Sequence, residues 1–355
     1  MDFTLTLLKW YEHHGRSLPW RETTDPYPIW LSEVILQQTR IQQGMAYWQR
    51  FMEHFPTVEA LAAASEDEVL RLWQGLGYYS RARNLHAAAR QIVEQGGFPT
   101  TLEDIRSLKG VGDYTAAAVG SFAFGLPAAA VDGNAYRVLA RYFGIETPIN
   151  STEGKKEFAA LSAQLLPHDR AADYNQAMMD FGATWCIPKS PRCTDCPLAE
   201  TCVAFREGRV GQLPVKERKT KIQTRHLIYI YIRCQGLTAI RRRGAGDIWQ
   251  GLWEPLTIEV KIETKDKEQE PKDMSSLLHP FTPSLLSLRL LRTNVKHVLT
   301  HRILLADFYL LETEERPSLP GDYIWIAEEE IDRYAVPRLV ELLLEEVRAS
   351  ASPHP

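Results

Sequence analysis

The strongest constraint on the fold is a change of hydrophobic pattern between residues 205 and 226. From Leu5 to about Phe205, apolar residues recur every three or four positions, as they do in amphipathic helices. Beyond residue 226, the segments HLIYIYIRC, LTAIRRR, ILLADFYLLE and DYIWIA alternate or run apolar over short lengths that are typical of strands. One helix follows, from about Arg338 to Val347. The pattern therefore predicts a mainly α region followed by an α+β domain.

Composition and charge limit the possible functions. No stretch reaches the roughly 18 apolar residues of a membrane-spanning helix, and the opening MDFTLTLLKWYEHHGR lacks the features of a secretory signal. We therefore expect a soluble, intracellular protein without a membrane partner. The formal net charge is −4, so any nucleic-acid-binding face must be local. Residues 208–225 are predicted to form a polar, basic linker, and the nearly all-charged segment Lys261 to Asp273 a mobile loop.

Four of the five cysteines crowd into one short segment, which argues against a disulfide framework in a reducing compartment and suggests a metal centre. Their spacing is C-x6-C-x2-C-x5-C, and Cys234 stands apart. Thiolates suit iron-sulfur clusters and zinc, although common structural zinc sites pair two knuckles across a longer gap. The residues alone leave a cluster, a zinc ion or unliganded thiols open. The four candidate ligands are Cys186, Cys193, Cys196 and Cys202.

A glycine turn and two acidic residues stand out in the helical region. Gly110 and Gly112 lie between two predicted helices, where backbone amides can meet a phosphate, although an ordinary interhelix turn has the same pattern. Glu33 lies on a predicted helix with apolar neighbours, which should raise its pKa. Asp132 precedes a helix that begins near Asn134, so it is expected to cap that helix and to stay ionised.

Several motifs in this order resemble those of the MutY family within the endonuclease III-like, helix-hairpin-helix superfamily. They are LPWR (18–21), WLSEVILQQTR (30–40), GLGYYSRARNLH (75–86), GVGDYTAAA (110–118), DYNQAMMDFGA (173–183), the cysteine spacing, IWQGLWEP (248–255) and HVLTHRILL (297–305). The resemblance implies a glycosylase region over 1–207, with a six-helix part at about 20–125 and a [4Fe-4S] cluster part at about 1–19 and 126–207. A linker (208–225), a Nudix-like domain (226–350) and a tail (351–355) follow.

The resemblance implies that the chain is a monofunctional adenine DNA glycosylase of base excision repair. Glu33 would protonate the adenine and Asp132 would stabilise the oxocarbenium sugar, with or without a covalent adduct. Tyr114 and Asn134 would belong to the same centre. Related enzymes with strand-nicking lyase activity carry a lysine where Tyr114 stands, and a phenol cannot form a Schiff base. A bifunctional glycosylase and lyase is the alternative, and a noncatalytic DNA-binding protein is a weaker one.

The resemblance also implies how a mispair is recognised in duplex DNA. Gln38 and Tyr79 would wedge the duplex beside 8-oxoguanine, while five residues would surround the extruded adenine: Trp20, Arg21, Leu36, Gln176 and Met179. For each, core packing is the competing interpretation. Leu299, Thr300 and His301 match the family's Phe-Ser-His loop that touches 8-oxoguanine, although leucine replaces the aromatic ring. The magnesium-binding Nudix box is missing, which argues against a Nudix hydrolase. We expect a cytoplasmic, nucleoid-associated bacterial monomer.

Overall fold

The computed structural model describes residues 2–217, 222–260 and 288–351. The chain divides into two compact units. Unit 1 comprises residues 1–63 and 84–219, and unit 2 comprises residues 64–83 and 220–355. The predicted loop from Lys261 to Asp273, part of the basic linker and the tail after residue 351 lie outside the described residues.

Residues 2–217 are helical, as the three- and four-residue periodicity predicts. The helices are α1 (Phe3–His14), α2 (Pro26–Leu36), α3 (Ile41–His54), α4 (Val58–Ala63), α5 (Glu66–Trp73), α6 (Ser80–Glu94), α7 (Leu102–Ser107), α8 (Asp113–Phe124), α9 (Gly133–Phe143), α10 (Thr152–Leu165), α11 (Ala171–Thr184) and α12 (Val203–Arg206). Short 3-10 helices occur at Pro19–Arg21, His168–Arg170 and Ala199–Thr201. None of the described helices is long and apolar enough to cross a membrane.

Side-chain caps fix several helix starts in unit 1 and in α5. Asp25 accepts from the amide of Tyr27 at the start of α2, and Ser151 caps α10. Ser65 and Glu68 form a capping box at α5, because each side chain accepts from the backbone of the other residue. These caps satisfy amides that have no partner inside the helix, so they define where each helix begins.

Two packing arrangements in unit 1 position the site. Helix α1 packs against α11, and α11 against α9, around a core that includes Leu7, Phe158 and Phe181. Helix α2 packs against α8 and is buried at every residue from Tyr27 to Ile35. A helix that is buried all round places any polar side chain in the interior. Glu33 is such a residue.

Unit 2 is built on a mixed sheet with the order β3-β2-β1-β6-β5. The strands are β1 (Gln223–Cys234), β2 (Leu237–Arg242), β3 (Trp253–Glu254), β4 (Leu256–Val260), β5 (Leu288–Val298), β6 (Arg302–Thr313) and β7 (Tyr323–Ala327). Strands β1 and β6 run parallel, β4 pairs with β1, and β7 pairs with β2. After a 3-10 helix (Glu328–Arg333), helix α13 (Arg338–Ala351) packs Leu339 and Leu343 against Phe308. The mainly α region and the α+β domain are thus confirmed.

Strand β5 was not predicted as a strand from the sequence. Most of its residues are exposed, and its register with β6 shifts between Leu290 and Arg292 and again between Arg292 and Val295. These irregularities break the alternation of apolar and polar residues on which a sequence prediction depends.

Candidate active site

An open cleft of about 700 Å³ lies in unit 1 and brings ten of the predicted site residues together. Glu33 of α2 and Asp132 at the start of α9 both line it. The other predicted residues along its wall are Trp20, Arg21, Leu36, Gln38, Tyr114, Asn134, Gln176 and Met179. The volume is sufficient for an extruded nucleotide, since small-molecule sites span roughly 300–1,000 Å³.

Glu33 is held in a largely apolar environment with two polar neighbours. Its side chain belongs to the buried α2 helix, and the residue is 8% exposed. Burial raises the pKa of Glu33 to about 7, although the Tyr114 hydroxyl and the positive charge of Arg21 counteract part of the rise. The hydroxyl of Tyr114 donates to Glu33 Oε2 at 2.7 Å. The predicted rise in pKa is therefore confirmed, and a substantial fraction of Glu33 is protonated at neutral pH.

Asp132 is surrounded by donors. Its Oδ1 accepts from the amide of Ala135 at 2.7 Å, and its Oδ2 accepts from Asn134 Nδ2 at 2.7 Å. Burial outweighs the other influences and raises the pKa of Asp132, while these hydrogen bonds and the charge of Arg137 limit the rise. The predicted helix cap is confirmed. Glu33 and Asp132 thus share a cleft, and burial raises the pKa of both. Asp132 accepts hydrogen bonds from Ala135 and Asn134, whereas Glu33 accepts one from Tyr114.

Arg137 connects Asn134 to the cysteine segment, and the sequence prediction did not include it. Its Nη2 donates to Asn134 Oδ1 at 2.8 Å and to the carbonyl of Gly182 at 2.6 Å, and its Nε donates to the carbonyl of Cys186 at 2.7 Å. A Cβ added to Gly182 would lie 2.5 Å from Asn134 Cβ. Close packing and hydrogen bonding together fix the amide that holds Asp132.

Asp180 was also missed, although it lies within the quoted motif DYNQAMMDFGA. Asp180 is fully buried and accepts from Arg16 Nε at 2.9 Å and from both Nη atoms of Arg21 at 2.8 Å. Burial acts to raise the pKa of Asp180, but the hydrogen bonds from Arg21 and Arg16 outweigh it and hold the pKa below its ordinary value. Asp180 therefore fixes two cations of the cleft, Arg16 and Arg21.

The structure corrects one assignment among the wedge residues. Tyr79 is only 8% exposed, and its hydroxyl accepts from the amide of Gly75 at 3.3 Å, so its ring is packed inside the protein. The neighbouring Tyr78 is 48% exposed and has a φ of +49°, a strained value for tyrosine. Gln38, the other predicted wedge residue, has a φ of +57°. Tyr78 is therefore the accessible ring.

The residues of the predicted 8-oxoguanine loop lie in unit 2, between β5 and β6. Thr300 and His301 are exposed, whereas Leu299 packs against the core of unit 2. The amide of Leu299 donates to the carbonyl of Arg302 at 2.8 Å, which closes a tight turn. The hydroxyl of Thr300 is hydrogen-bonded to that of Tyr78.

The two glycines between α7 and α8 differ in whether the position could accommodate a side chain. Gly110 has a φ of +77°, and an added Cβ would lie 2.6 Å from Asn84 Cβ, so a side chain is excluded there. Gly112 has an extended backbone with open space around it, and no side chain caps α8. The first amides of α8 are thus accessible to an anion.

The four clustered cysteines line one cavity in unit 1. Buried Arg141 holds the segment by donating to the carbonyls of Ile187 at 2.8 Å, Pro188 at 3.0 Å and Leu213 at 3.1 Å. Its Nη1 also lies 3.4 Å from Cys186 Sγ. Within the described ranges, no group of His, Cys, Asp or Glu side chains converges closely enough to hold a single metal ion.

Comparisons with known proteins agree with this geometry. A model described as "HhH-GPD superfamily base excision DNA repair protein" matches residues 31–167, and a "NUDIX domain" model matches residues 228–346. The adenine DNA glycosylase of Buchnera aphidicola subsp. Schizaphis graminum (strain Sg) is 32% identical over 291 residues, which cover 79% of this chain and 84% of that protein. This chain belongs to the adenine DNA glycosylase family.

Two other similar proteins cover a smaller share of this chain. The adenine DNA glycosylase of Homo sapiens is 43% identical over 222 residues, which cover 59% of this chain and 41% of that protein. The solved structure of a thermostable thymine-DNA glycosylase aligns with a TM-score of 0.54 and 32% identity over 58% of this chain and 95% of its own. The sequence resemblance to the MutY family is confirmed, and the chain is a DNA glycosylase.

The buried Asp180 network yields a test of the cleft's construction. Because its pKa is held low, Asp180 contributes stability that is complete at neutral pH and is lost as the pH falls through its folded-state pKa. Asp180→Asn should lower the free energy of unfolding by about 3 kcal/mol at pH 7, since it leaves two cations without their partner. The difference in the free energy of unfolding from the unsubstituted protein, measured by urea denaturation, should narrow only as the pH falls below about 4.

Asp113→Asn is the matched control, because Asp113 pairs with Arg106 on the surface, where its side chain is 90% exposed. That change should have no measurable effect on unfolding. An Asp180→Asn protein as stable as the unsubstituted one, or a deficit that does not change with pH, would contradict the role given to Asp180.

Proposed function

We propose that this glycosylase hydrolyses the N-glycosidic bond of adenine opposite 8-oxoguanine or guanine in duplex DNA and leaves an abasic site. The observation that carries the proposal is the pairing of Glu33, with a pKa of about 7, and donor-surrounded Asp132 in a single cleft. Adenine is a poor leaving group as an anion, so a ring nitrogen must be protonated as the bond breaks. The sugar then becomes positively charged and requires an anion nearby.

Glu33 is the group suited to protonate the base. Its pKa near neutrality allows it to hold a proton before the reaction and to donate it during bond cleavage. Tyr114 donates to one carboxyl oxygen at 2.7 Å, which leaves the other oxygen to approach the base. Once deprotonated, Glu33 can accept a proton from the attacking water, as the acid of a retaining glycosidase does.

Asp132 is the group suited to face the oxocarbenium ion. Its two oxygens are fixed by Ala135 and Asn134, so the carboxylate does not need to reorient as positive charge develops. The same geometry permits a transient covalent bond to the sugar. Arg137 supports this arrangement by donating to Asn134 Oδ1. Asn134, Ala135 and Arg137 all lie on helix α9, which Asp132 caps.

The walls of the cleft suit an adenine that has been rotated out of the duplex. Trp20 and Met179 contribute apolar surface, and Arg21 is held in place by Asp180. The hydroxyl of Tyr11 donates to Gln176 Oε1 at 2.5 Å, which fixes the orientation of that amide. A flat apolar slot with a few fixed polar groups is the usual form of a base-binding pocket.

The absence of a suitable amine favours a monofunctional enzyme over a glycosylase with lyase activity. A Schiff base requires a lysine or other amine at the sugar, and no lysine is found among the described residues that line the cleft. Tyr114 stands at the position where glycosylases with lyase activity carry their lysine, and its hydroxyl donates a hydrogen bond to Glu33. Water is therefore the expected final nucleophile.

Recognition of 8-oxoguanine is assigned to unit 2. Thr300 and His301 are exposed in the β5–β6 turn, and Tyr78, rather than the buried Tyr79, offers a ring that can enter the duplex. Leu299 anchors the turn by packing on the core and contributes no aromatic surface. The hydroxyl and imidazole groups match the polar edge that 8-oxoguanine adds to guanine.

A [4Fe-4S] cluster is the cofactor that best fits the cysteine cavity. Cys186, Cys193, Cys196 and Cys202 would supply its four thiolates, since all four line one cavity and their spacing differs from the two separated knuckles of common structural zinc sites. When bound, the cluster would cross-link the segment and so present Lys189 and Arg192 toward phosphates.

Release of free adenine from a duplex with one adenine opposite 8-oxoguanine is the direct test of the proposed reaction. Under single-turnover conditions, Glu33→Gln should slow release by at least about 100-fold, because it removes the acid, while binding of the duplex is retained. The exposed Glu22→Gln is the matched control and should keep full activity. Borohydride should trap no protein–DNA adduct. Failure of the unsubstituted protein to release adenine would refute the proposal, and undiminished release by Glu33→Gln would remove Glu33 from the acid role.

The cofactor proposal is tested by replacing single cysteines and measuring bound iron and visible absorbance after purification. Cys196→Ser should lower the iron content well below four per chain, because one of four ligands is lost. Cys234→Ser is the control, since Cys234 is buried in the sheet of unit 2 and should leave iron binding unchanged. Equal iron in both variants, or zinc in place of iron in the unsubstituted protein, would contradict the assignment.

A further inference from the structure

The turn at residues 248–253, part of the motif IWQGLWEP, has no part in the chemistry described above. Its backbone nevertheless meets helix α5 within unit 2. We propose that this turn, together with Arg242, forms a seat for α5 that positions Tyr78 beside Thr300 and so determines the preference for 8-oxoguanine over guanine. The inference rests on the proposed function, because it concerns the base opposite the adenine. We call residues 248–253 and Arg242 the α5 seat.

Within the α5 seat, Arg242 contacts both helix α5 and the turn. Its Nη2 lies 2.8 Å from Glu66 Oε1 and 3.4 Å from Asp67 Oδ1 in the first turn of α5. Its Nε donates to the carbonyl of Gly251 at 3.2 Å. Both acids are available because the capping box of Ser65 and Glu68 has already satisfied the first amides of the helix. The arginine therefore ties the start of α5 to the turn.

Shape complementarity adds to these charges at Gly251. A Cβ at that position would lie 3.2 Å from both Glu66 Oε1 and Leu70 Cδ1, and the φ of Gly251 is +83°. The carbonyl of the preceding residue, Gln250, accepts from Arg83 Nη1 at 2.5 Å. Consecutive positions of the turn thus contact α5 on one side and the first turn of α6 on the other.

Two further contacts hold the ends of α5. The indole Nε1 of Trp253 donates to Asp67 at 3.3 Å. At the other end of the helix, Gln74 Oε1 accepts from the amide of Val336 at 3.4 Å. Helix α5 is therefore held at both ends by unit 2, in agreement with the grouping of residues 64–83 in that unit.

The fixed helix in turn holds the loop that carries Tyr78. The indole of Trp73, the last residue of α5, donates to the carbonyl of Gly77 at 3.0 Å, and Arg81 of α6 donates to the same carbonyl at 3.3 Å. Tyr78 follows directly, with its positive φ and its hydroxyl bonded to Thr300. A strained tyrosine keeps its conformation only when its surroundings fix it. Here the surroundings include Trp73 at the end of α5, and the α5 seat holds that helix in place.

Weakening the α5 seat should lower discrimination without slowing the chemistry, because Glu33 and Asp132 belong to unit 1. The measured quantity is the ratio of single-turnover adenine release rates for adenine opposite 8-oxoguanine and opposite guanine. Arg242→Glu should lower this ratio roughly tenfold, the loss expected for about two charge-assisted hydrogen bonds that position the reader. The rate opposite guanine and the melting temperature should stay close to those of the unsubstituted enzyme.

Two companion variants separate positioning from general damage. Glu66→Arg combined with Arg242→Glu restores the ion pair with its charges exchanged and should recover most of the ratio. Gly251→Ala, which meets α5, should also lower the ratio, whereas Gly236→Ala should not. Gly236 has a similar φ of +76° with open space around it, so it controls for backbone strain alone.

The outcomes distinguish this inference from the proposed function. An unsubstituted enzyme that releases adenine equally fast opposite both bases would contradict the proposed lesion recognition itself. A normal preference that survives in both Arg242→Glu and Gly251→Ala would overturn the role of the α5 seat and leave the proposed function intact. A ratio lowered equally by Gly236→Ala would also overturn it, because strain alone would then explain the loss.

Discussion

The burial of Glu33 is the constraint on which the remaining site depends. Helix α2 is enclosed on all sides, so this carboxyl group has little solvent to stabilise its charge, and its pKa rises to about 7. Asp132 lines the same cleft, and two carboxylates close together disfavour joint ionisation. Asp132 accepts hydrogen bonds from both Ala135 and Asn134. Glu33 accepts one hydrogen bond, from the Tyr114 hydroxyl, in a largely apolar site. We therefore propose that Asp132 carries the single negative charge and Glu33 the proton.

Helix α9 and the inserted segment 64–83 show how the fold divides its tasks. Asp132 caps α9, and one and two turns further on, Arg137 and Arg141 hold the carbonyls of the cysteine segment. Asp132 and the residues that hold the cysteine segment thus lie on or directly before one helix. Residues 64–83, in contrast, lie between α4 and the body of α6 in the sequence but belong to unit 2. Tyr78 and Thr300 therefore lie within one unit, and Glu33 and Asp132 within the other. Under the proposed function, selectivity and bond cleavage can thus change independently.

Much of this organisation could be predicted from the sequence, for physical reasons that also explain the failures. Glu33 and Asp132 were recognisable because apolar periodicity and a helix cap are local signals. Tyr79 was assigned in place of Tyr78 because two adjacent tyrosines give no local indication of which ring is buried. Asp180 was missed because its partners Arg16 and Arg21 lie more than 150 residues away in the sequence. Domain boundaries drawn by motif also assigned residues 64–83 to the helical region, since helical periodicity does not reveal which unit a helix packs against.

The most direct measurement of the central claim is the titration of Glu33 itself in the intact protein. Infrared difference spectra of the carboxyl band, with Glu33→Gln as the subtraction reference, report the protonation of this one side chain. The account predicts a midpoint of about 7. A midpoint near the ordinary glutamate value of about 4.3 would mean that Glu33 is ionised at neutral pH, and it would contradict acid catalysis by this residue.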